Sequence, residues 1–265
     1  MTTKIKFKHI KGGGIVVAYK PQAMTPYQLT LQIKNILKTT EPLGYAGRLD
    51  PMAEGLMVIL VGEENKKRKE YERLGKTYIF EVLFGVSSDS YDVLGIARDD
   101  PAPIGAGRDI QIKVVRYLKG LIGEFEQEYP PYSAKLLRGK PLFKWAREGK
   151  LQGIKLPSKI VAVKSAKLLN ITTISAADLK RNIIKRVKAV KGEFRQDEVL
   201  QSWDSFFEKN KQKEFIVAKI KIDSSSGVYV RSIANDIGEK LGCGAIALNI
   251  VRTRVGKYSI STLEI

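Results

Sequence analysis

The chain carries one cysteine and one histidine, Cys243 and His9, among 265 residues. A lone cysteine excludes an internal disulfide and a thiolate-cluster metal site. With a single histidine beside it, there are too few His and Cys ligands for a structural zinc site. A reducing, cytoplasmic setting is the corresponding expectation. Long apolar runs are also missing. The longest, Leu56–Val61, is far short of the roughly 20 residues that span a bilayer. The basic N-terminus is not followed by an apolar run, so it does not read as a secretory signal. Acid is scarce against base: 28 Asp+Glu against 46 Lys+Arg give a net charge of +18. That excess calls for a polyanionic partner, because each neutralised phosphate releases counterions. Nucleic acid is favoured over a membrane surface. An apolar content of 43% with two tryptophans suits a globular chain with one large core, or two.

What is present is organised around Gly44-Tyr45-Ala46-Gly47-Arg48-Leu49-Asp50-Pro51-Met52-Ala53-Glu54-Gly55, which runs into Leu56–Val61 and Gly62. Three glycines and a proline around one carboxylate make a shaped loop. The apolar residues behind it read as a buried strand. Asp50 then sits on a rigid loop at the lip of a sheet. It either reaches a bound substrate or satisfies amides of its own turn, and the stretch alone does not decide.

Upstream, Gly12-Gly13-Gly14 reads as a turn before a strand, Ile15–Tyr19, that ends at Lys20-Pro21. Thr25-Pro26-Tyr27-Gln28 is a helix start with a capping box and proline at its first position. Leu29, Ile33, Ile36 and Leu37 form its core-facing stripe. Downstream, Lys76–Phe84 alternates as a half-buried strand, with Tyr78 as either a core tyrosine or a ring that stacks on a substrate. Ser87–Asp92 is a polar loop without metal-ligand spacing, and Asp109–Leu118 is a helix. From Tyr129 to Arg147, basic residues interleave with Tyr132, Phe143 and Trp145. This suits a segment that tracks a nucleic-acid backbone and stacks on bases, or a basic helix with two rings packed inward. Lys159–Ile171 is strand-like. Ser175–Lys211 reads as two helices around Gly192, with Leu179, Ile183, Val187 and Val190 facing Val199, Trp203, Phe206 and Phe207. Ser175 and Asp178 make a capping box for the first helix, and its outer face would carry Lys180, Arg181, Lys185, Arg186 and Lys188. This pair is expected to be removable without disturbing the Asp50 cleft. After a strand, Glu214–Asp223, a polar loop and a helix place Tyr229 and Arg231 together, where the arginine can pair with a distant carboxylate.

Three of these stretches carry a resemblance. Gly47-Arg48-Leu49-Asp50-Pro51-Met52-Ala53-Glu54-Gly55-Leu56, Lys76-Thr77-Tyr78, and Ser226-Gly227-Val228-Tyr229-Val230-Arg231-Ser232-Ile233 resemble the TruB-type tRNA pseudouridine synthases. That family writes them roughly as G-x-L-D-P-x-A-x-G-x-L, K-x-Y and K-G-T-Y-I-R-T. Lys20-Pro21, Pro130-Pro131-Tyr132-Ser133-Ala134, Gly139-Lys140-Pro141-Leu142 and Gly238–Ala245 continue it in the expected order over most of the chain.

The resemblance implies an isomerase that turns uridine into pseudouridine without metal or cofactor. Asp50 would be the essential carboxylate, Arg231 its counter-ion, and Tyr78 the ring stacked on the target base. Tyr229, Tyr45, Arg48, Lys20, Tyr132, Ser133 and Lys140 would bind substrate. The implied target is the uridine of the TΨC arm of tRNA. The Tyr132 segment resembles the RNA-gripping insertion of the bacterial branch, so no guide RNA is expected, and the chain is expected to act as a monomer. Tyr45 departs from the family histidine, Val228 from its threonine and Ser226 from its lysine. The implied fold is α+β, a large mixed, mostly antiparallel sheet flanked by helices with a central catalytic cleft. A single domain over 1–265 is expected, with an RNA-gripping insertion at about 124–158 and the helical pair at about 175–211. The family's C-terminal RNA-binding domain is expected to be absent. A non-catalytic RNA-binding protein or tRNA-folding chaperone on the same scaffold is the competing reading.

Overall fold

The computed structural model describes residues 7–10, 14–99 and 108–263. Gly12 and Gly13 lie outside the described residues. In chain order the strands are β1 (Phe7–Ile10), β2 (Ile15–Lys20), β3 (Leu43–Tyr45), β4 (Ala53–Val61), β5 (Lys76–Phe84), β6 (Val86–Ser88) and β7 (Ala97–Asp99). They continue as β8 (Gly123–Glu128), β9 (Leu136–Leu137), β10 (Lys140–Pro141), β11 (Ser158–Ser175), β12 (Glu214–Ser224), β13 (Ala245–Val255) and β14 (Tyr258–Ser259). The helices are α1 (Pro26–Leu37), α2 (Arg68–Glu72), α3 (Arg108–Gly120), α4 (Leu142–Arg147), α5 (Ala176–Ala189), α6 (Gln196–Lys209) and α7 (Val230–Leu241). None is long and apolar enough to cross a membrane.

The fold is α+β. Among the described residues, ten strands form one sheet in the order β1-β2-β4-β13-β5-β12-β11-β8, with β3 added to β4 and β14 to β13. Every pairing in it is antiparallel except β4 with β13, which runs parallel from Ile250 opposite Ala53 to Arg252 opposite Gly55. Apolar layers cover both faces. Alternate residues of β2 and β4, such as Val16, Met57 and Ile59, join a core with Leu29 and Ile33 of α1 and Ile233 and Ile237 of α7. Their neighbours Ile15, Val17, Leu56, Val58 and Leu60 pack into a separate cluster with Val255 and Tyr258. Leu56–Val61 is therefore apolar throughout, because both of its faces are covered.

Local rules account for several elements. Thr25 Oγ1 accepts from the Gln28 amide at 3.2 Å, and Gln28 Oε1 accepts from the Thr25 amide at 2.7 Å, a complete capping box. Ile36, expected in the apolar stripe, is 50% exposed instead, because the core beneath α1 takes Leu29, Ile33 and Leu37. Tyr78, Phe80, Val82 and Phe84 of β5 are buried on one face, while Ile79 and Glu81 are partly covered on the other.

The helical pair packs as the two stripes require. Leu179, Ile183 and Val187 meet Val199, Trp203 and Phe206, and the pair seats on Leu83, Phe215, Val217 and Leu248 of the sheet. Burying side chains of this size contributes ~1.5–3 kcal/mol each. Two details differ from the sequence reading. Arg186 is not on the outer face: its Nη1 donates to the Leu248 carbonyl at 2.8 Å, and its Nε and Nη2 are buried. Ser175 caps α5 by accepting from the Asp178 amide at 3.1 Å, but the return contact is from its hydroxyl to the Asp178 carboxylate, so the box is only half formed. The expected insertion at 124–158 also begins too early. Gly123–Glu128 is β8, the edge strand paired with β11, so the excursion from the sheet covers 129–157.

Candidate active site

Two buried cations clamp the Asp50 loop. Arg252, on β13, is fully buried. Its Nε donates to the Leu56 carbonyl at 2.8 Å, Nη1 to Arg48 at 3.0 Å and Nη2 to Gly47 at 3.3 Å. The second cation is Lys20, at the end of β2, whose ammonium donates to the carbonyls of Met24 at 2.7 Å, Pro21 at 2.9 Å and Pro51 at 3.4 Å. Burial lowers this ammonium to about 7, against the pull of Asp50. A Cβ on Gly55, whose φ is +115°, would meet the Arg252 carbonyl oxygen at 2.3 Å. Only glycine lets β4 approach β13 there.

The Asp50 carboxylate does not satisfy its own turn. Its Oδ2 accepts from Arg231 Nε at 2.7 Å. Arg231 enters from the first turn of α7 and is almost completely buried. It also donates to the Ser90 carbonyl and, at 3.3 Å, to the Tyr132 carbonyl, and it lies 3.6 Å from Asp92 Oδ2. Burial alone would lower its guanidinium, but Asp50 and Asp92 more than offset this and raise it. Asp92 is buried, which pushes its carboxyl up against the pull of Arg231, and it accepts from Ser90 at 2.7 Å and from the Leu94 amide at 2.9 Å.

The Asp50–Arg231 pair opens into a cavity of about 790 Å³. Tyr78 forms part of its wall while belonging to the apolar core. Tyr229, Arg48, Tyr132 and Ser133 also line it. Tyr229 is fixed by a reciprocal pair with Gln127 of β8: its amide donates at 2.8 Å and its carbonyl accepts at 3.1 Å. Burial, with Asp50 adding, pushes the Tyr229 hydroxyl up to about 12. Ser133 is buried, and its hydroxyl has no hydrogen-bond partner among the described residues. The Tyr132 hydroxyl donates to Asp89 at 2.9 Å.

Three residues expected at the substrate lie outside the wall of this cavity. Lys20 is fully buried outside the cavity wall, and its three carbonyl partners make it a support of the loop. Tyr45 lies on β3 opposite Ile59, with the Arg68 guanidinium 5.5 Å from its ring centre, and is not in the wall. Lys140 pairs with Glu148 and sits 4.7 Å over the Trp145 ring, also away from the cavity.

Sequence reasoning missed Asp92, Arg252 and Gln127, and it expected the helical pair to be removable without disturbing the cleft. Arg252 had a signal, since it falls in phase with Ile246, Leu248 and Ile250 on an apolar strand. Asp92 and Gln127 had none, because Arg231 and Tyr229, which tie them to the site, are far along the chain. The helical pair reaches the cleft: Phe194 and Arg195, in its connecting turn, line the same cavity. Arg195 holds Asp89 at 2.9 and 3.3 Å with its guanidinium 4.5 Å over the Tyr132 ring. Among the described residues no cluster of side chains could hold a metal ion.

Residues 34–194 match a family model described as "TruB family pseudouridylate synthase (N terminal domain)". A "tRNA pseudouridine synthase B" of Thermotoga petrophila is 30% identical over 247 residues, 93% of this chain and 64% of the relative. The chain thus spans somewhat less than two thirds of that relative. A protein of the same name from Lactobacillus delbrueckii subsp. bulgaricus is 30% identical over 254 residues, 95% of this chain and 72% of the relative. Among solved structures, a chain of a Cbf5-Nop10-Gar1 complex superposes with a TM-score of 0.54 at 18% identity, covering 91% of this chain and 48% of that one. That likeness is one of fold.

Proposed function

Since the chain belongs to the TruB family of pseudouridylate synthases, we propose that it isomerises the uridine at position 55, in the TΨC arm of tRNA, with Asp50 as the catalytic carboxylate. The observation that carries this reading is the Asp50–Arg231 pair at 2.7 Å, opening into the cavity walled by Tyr78 and Tyr229.

The reaction breaks the bond from uracil N1 to C1′, turns the base and joins C5 to C1′. The proton leaves C5 and N1 gains one, so atoms and electrons balance without a co-reactant. Asp50, as nucleophile or base, must present an oxygen at the reacting atoms. Arg231 engages Oδ2 and fixes the rotamer, which leaves Oδ1 for the substrate. The two clamped ends of the loop hold this oxygen in place, so its position does not have to be found during turnover. Tyr78 offers a face to the base, and the unpartnered Ser133 hydroxyl offers it a hydrogen bond. The target must leave its stack first, at a few kcal/mol. Arg48, exposed at the wall, and the wider basic surface offset that by binding phosphates.

The test is tritium release from tRNA labelled at uridine C5. Wild-type protein should release the label, while Asp50→Asn should reduce release to background and bind tRNA within about tenfold, roughly 1.4 kcal/mol. Release by the Asn variant at the wild-type rate would overturn the role of Asp50. Equal release after position 55 is replaced by cytidine would overturn the target. Tight binding without release from any RNA would favour a non-catalytic RNA-binding protein.

A further inference from the structure

The helical pair does more than cover the sheet. β11 carries the chain away from Lys159, in the cavity wall, to Ser175, and α5 brings it back to the wall at Phe194. The turn that arrives there is held from three sides. The Gln196 side chain accepts from the Phe194 amide at 2.9 Å and donates to the carbonyls of Val190 at 3.1 Å and Gly192 at 2.6 Å. Arg195, in the left-handed region at φ 58°, grips Asp89 with two nitrogens. Arg147 of α4 donates to the Glu193 carbonyl at 2.8 Å, and its guanidinium lies 5.9 Å from the centre of the Phe194 ring. A non-glycine residue at positive φ costs of order 1–2 kcal/mol, so such a turn persists only where its surroundings over-determine it.

The cations of α5 sort into two kinds. Lys180 pairs with Asp204 at 3.0 Å, Arg181 pairs with Asp178, and Arg186 turns inward to Leu248. Lys185 and Lys188, and Lys191 just beyond the helix, are exposed, and none is ion-paired among the described residues. At 1.5 Å per residue they extend over about 9 Å of the helix direction, and they end at the turn that lines the cavity.

We propose that α5 and its following turn form an RNA-binding track that continues the catalytic cavity. Phe194 meets a base at the wall, and Lys185, Lys188 and Lys191 take phosphates of the tRNA beyond the TΨC arm. This rests on the function proposed above for the identity of the RNA. Three features carry it: a rigid turn joining the cavity to the helix, an aromatic face at the junction, and cations without counter-ions on a strongly basic chain. Lysines at a helix C-terminus also complement its macrodipole, a role that would leave RNA affinity untouched.

The experiment measures binding of whole tRNA and of an isolated TΨC stem-loop across a salt series, using the full chain. For the variant Lys185→Gln/Lys188→Gln/Lys191→Gln, the log–log salt slope on whole tRNA should flatten by two to three units, at about 0.9 per lost phosphate contact. The ratio of kcat/KM on whole tRNA to that on the stem-loop should fall about tenfold. Lys191→Gln alone, outside the helix, should remove about one unit and guards against loss of helix stability. Lys180→Gln/Arg181→Gln, whose cations are already paired, should change the slope by less than one unit. An unchanged slope in the triple variant overturns the track. Equal flattening in the paired-cation control overturns it too, by reducing the effect to net charge. Equal loss on the stem-loop would place the lysines on the target arm and overturn their assignment beyond it. If no RNA releases tritium, the salt slope still reads the track, so the two proposals fail separately.

Discussion

Arg231 joins four segments at one guanidinium: the Asp50 loop, the Ser90–Asp92 loop, the Tyr132 segment and α7 itself. Removing it leaves two carboxylates facing each other's field, one of them buried. Arg231→Ala should therefore destabilise the fold by about 3–5 kcal/mol in urea unfolding and reduce tritium release to below about 1% of wild type. Arg231→Lys keeps the charge but cannot reach Asp50, Ser90 and Tyr132 together, so it should recover stability only in part. Full turnover in the alanine variant would remove Arg231 from the mechanism. Asp236, one turn further along α7, shows the opposite case. Burial pushes its carboxyl from 3.8 to about 6, with Glu239 adding to the rise. The folded state then binds more protons than the unfolded chain between these values, so stability falls as pH rises from about 4 to 6. Asp236→Asn should stabilise the protein by about 2 kcal/mol at pH 8, after discounting for partial exposure, and by nothing at pH 3.5. Urea midpoints at the two pH values decide it, and a benefit of the same size at both would remove the carboxylate's charge as the cause.

At the scale of elements, the short parallel ladder of β4 and β13 sets the Asp50 loop. Gly55 sits where the strands touch, and a Cβ there would lie 2.3 Å from the Arg252 carbonyl oxygen and 2.7 Å from its amide nitrogen. Gly55→Ala must both strain a positive φ and separate two backbones, so we expect a loss of about 3 kcal/mol or more. Activity should fall further than stability accounts for, because the Arg252 clamp on Gly47 and Arg48 shifts with the strand. Wild-type stability in this variant, read from urea unfolding, would show that the ladder yields freely. The loop itself was legible from Gly47, Pro51 and Gly55, whose backbone requirements are local. The capping box of α1 and the alternation of β5 were legible for the same reason. The clamp was not, since Arg252 meets Arg48 across 204 positions, and only strand register brings them together. The two helices of 175–211 could be read from their stripes, whereas the delivery of Phe194 and Arg195 to the cavity depends on how the pair seats on β12 and β13.

At the scale of the molecule, the charge of +18 was the plainest feature of the sequence, but it did not say where the charge acts. Some of the 46 basic side chains are matched by an acid nearby in sequence: Lys66 with Glu63, Arg68 with Glu72 and Lys113 with Asp109. Lys20 and Arg252 are buried in support of the loop, out of reach of any phosphate. The cavity wall keeps Arg48, Lys69, Arg73, Arg147 and Lys159, none ion-paired among the described residues. With the three lysines of the α5 track, about eight phosphate contacts are available, which at 0.9 each predicts a salt slope near −7 on whole tRNA. Affinity should then fall by about 10⁴ between 50 and 200 mM salt, and by several hundredfold when only the cavity set is engaged, as on the stem-loop. The two substrates should therefore differ more at low salt than at high salt, and converge as screening removes the contacts beyond the cavity. A slope shallower than −2 on whole tRNA would mean that the wall cations do not reach phosphates, and that affinity rests on stacking and shape in the cavity alone.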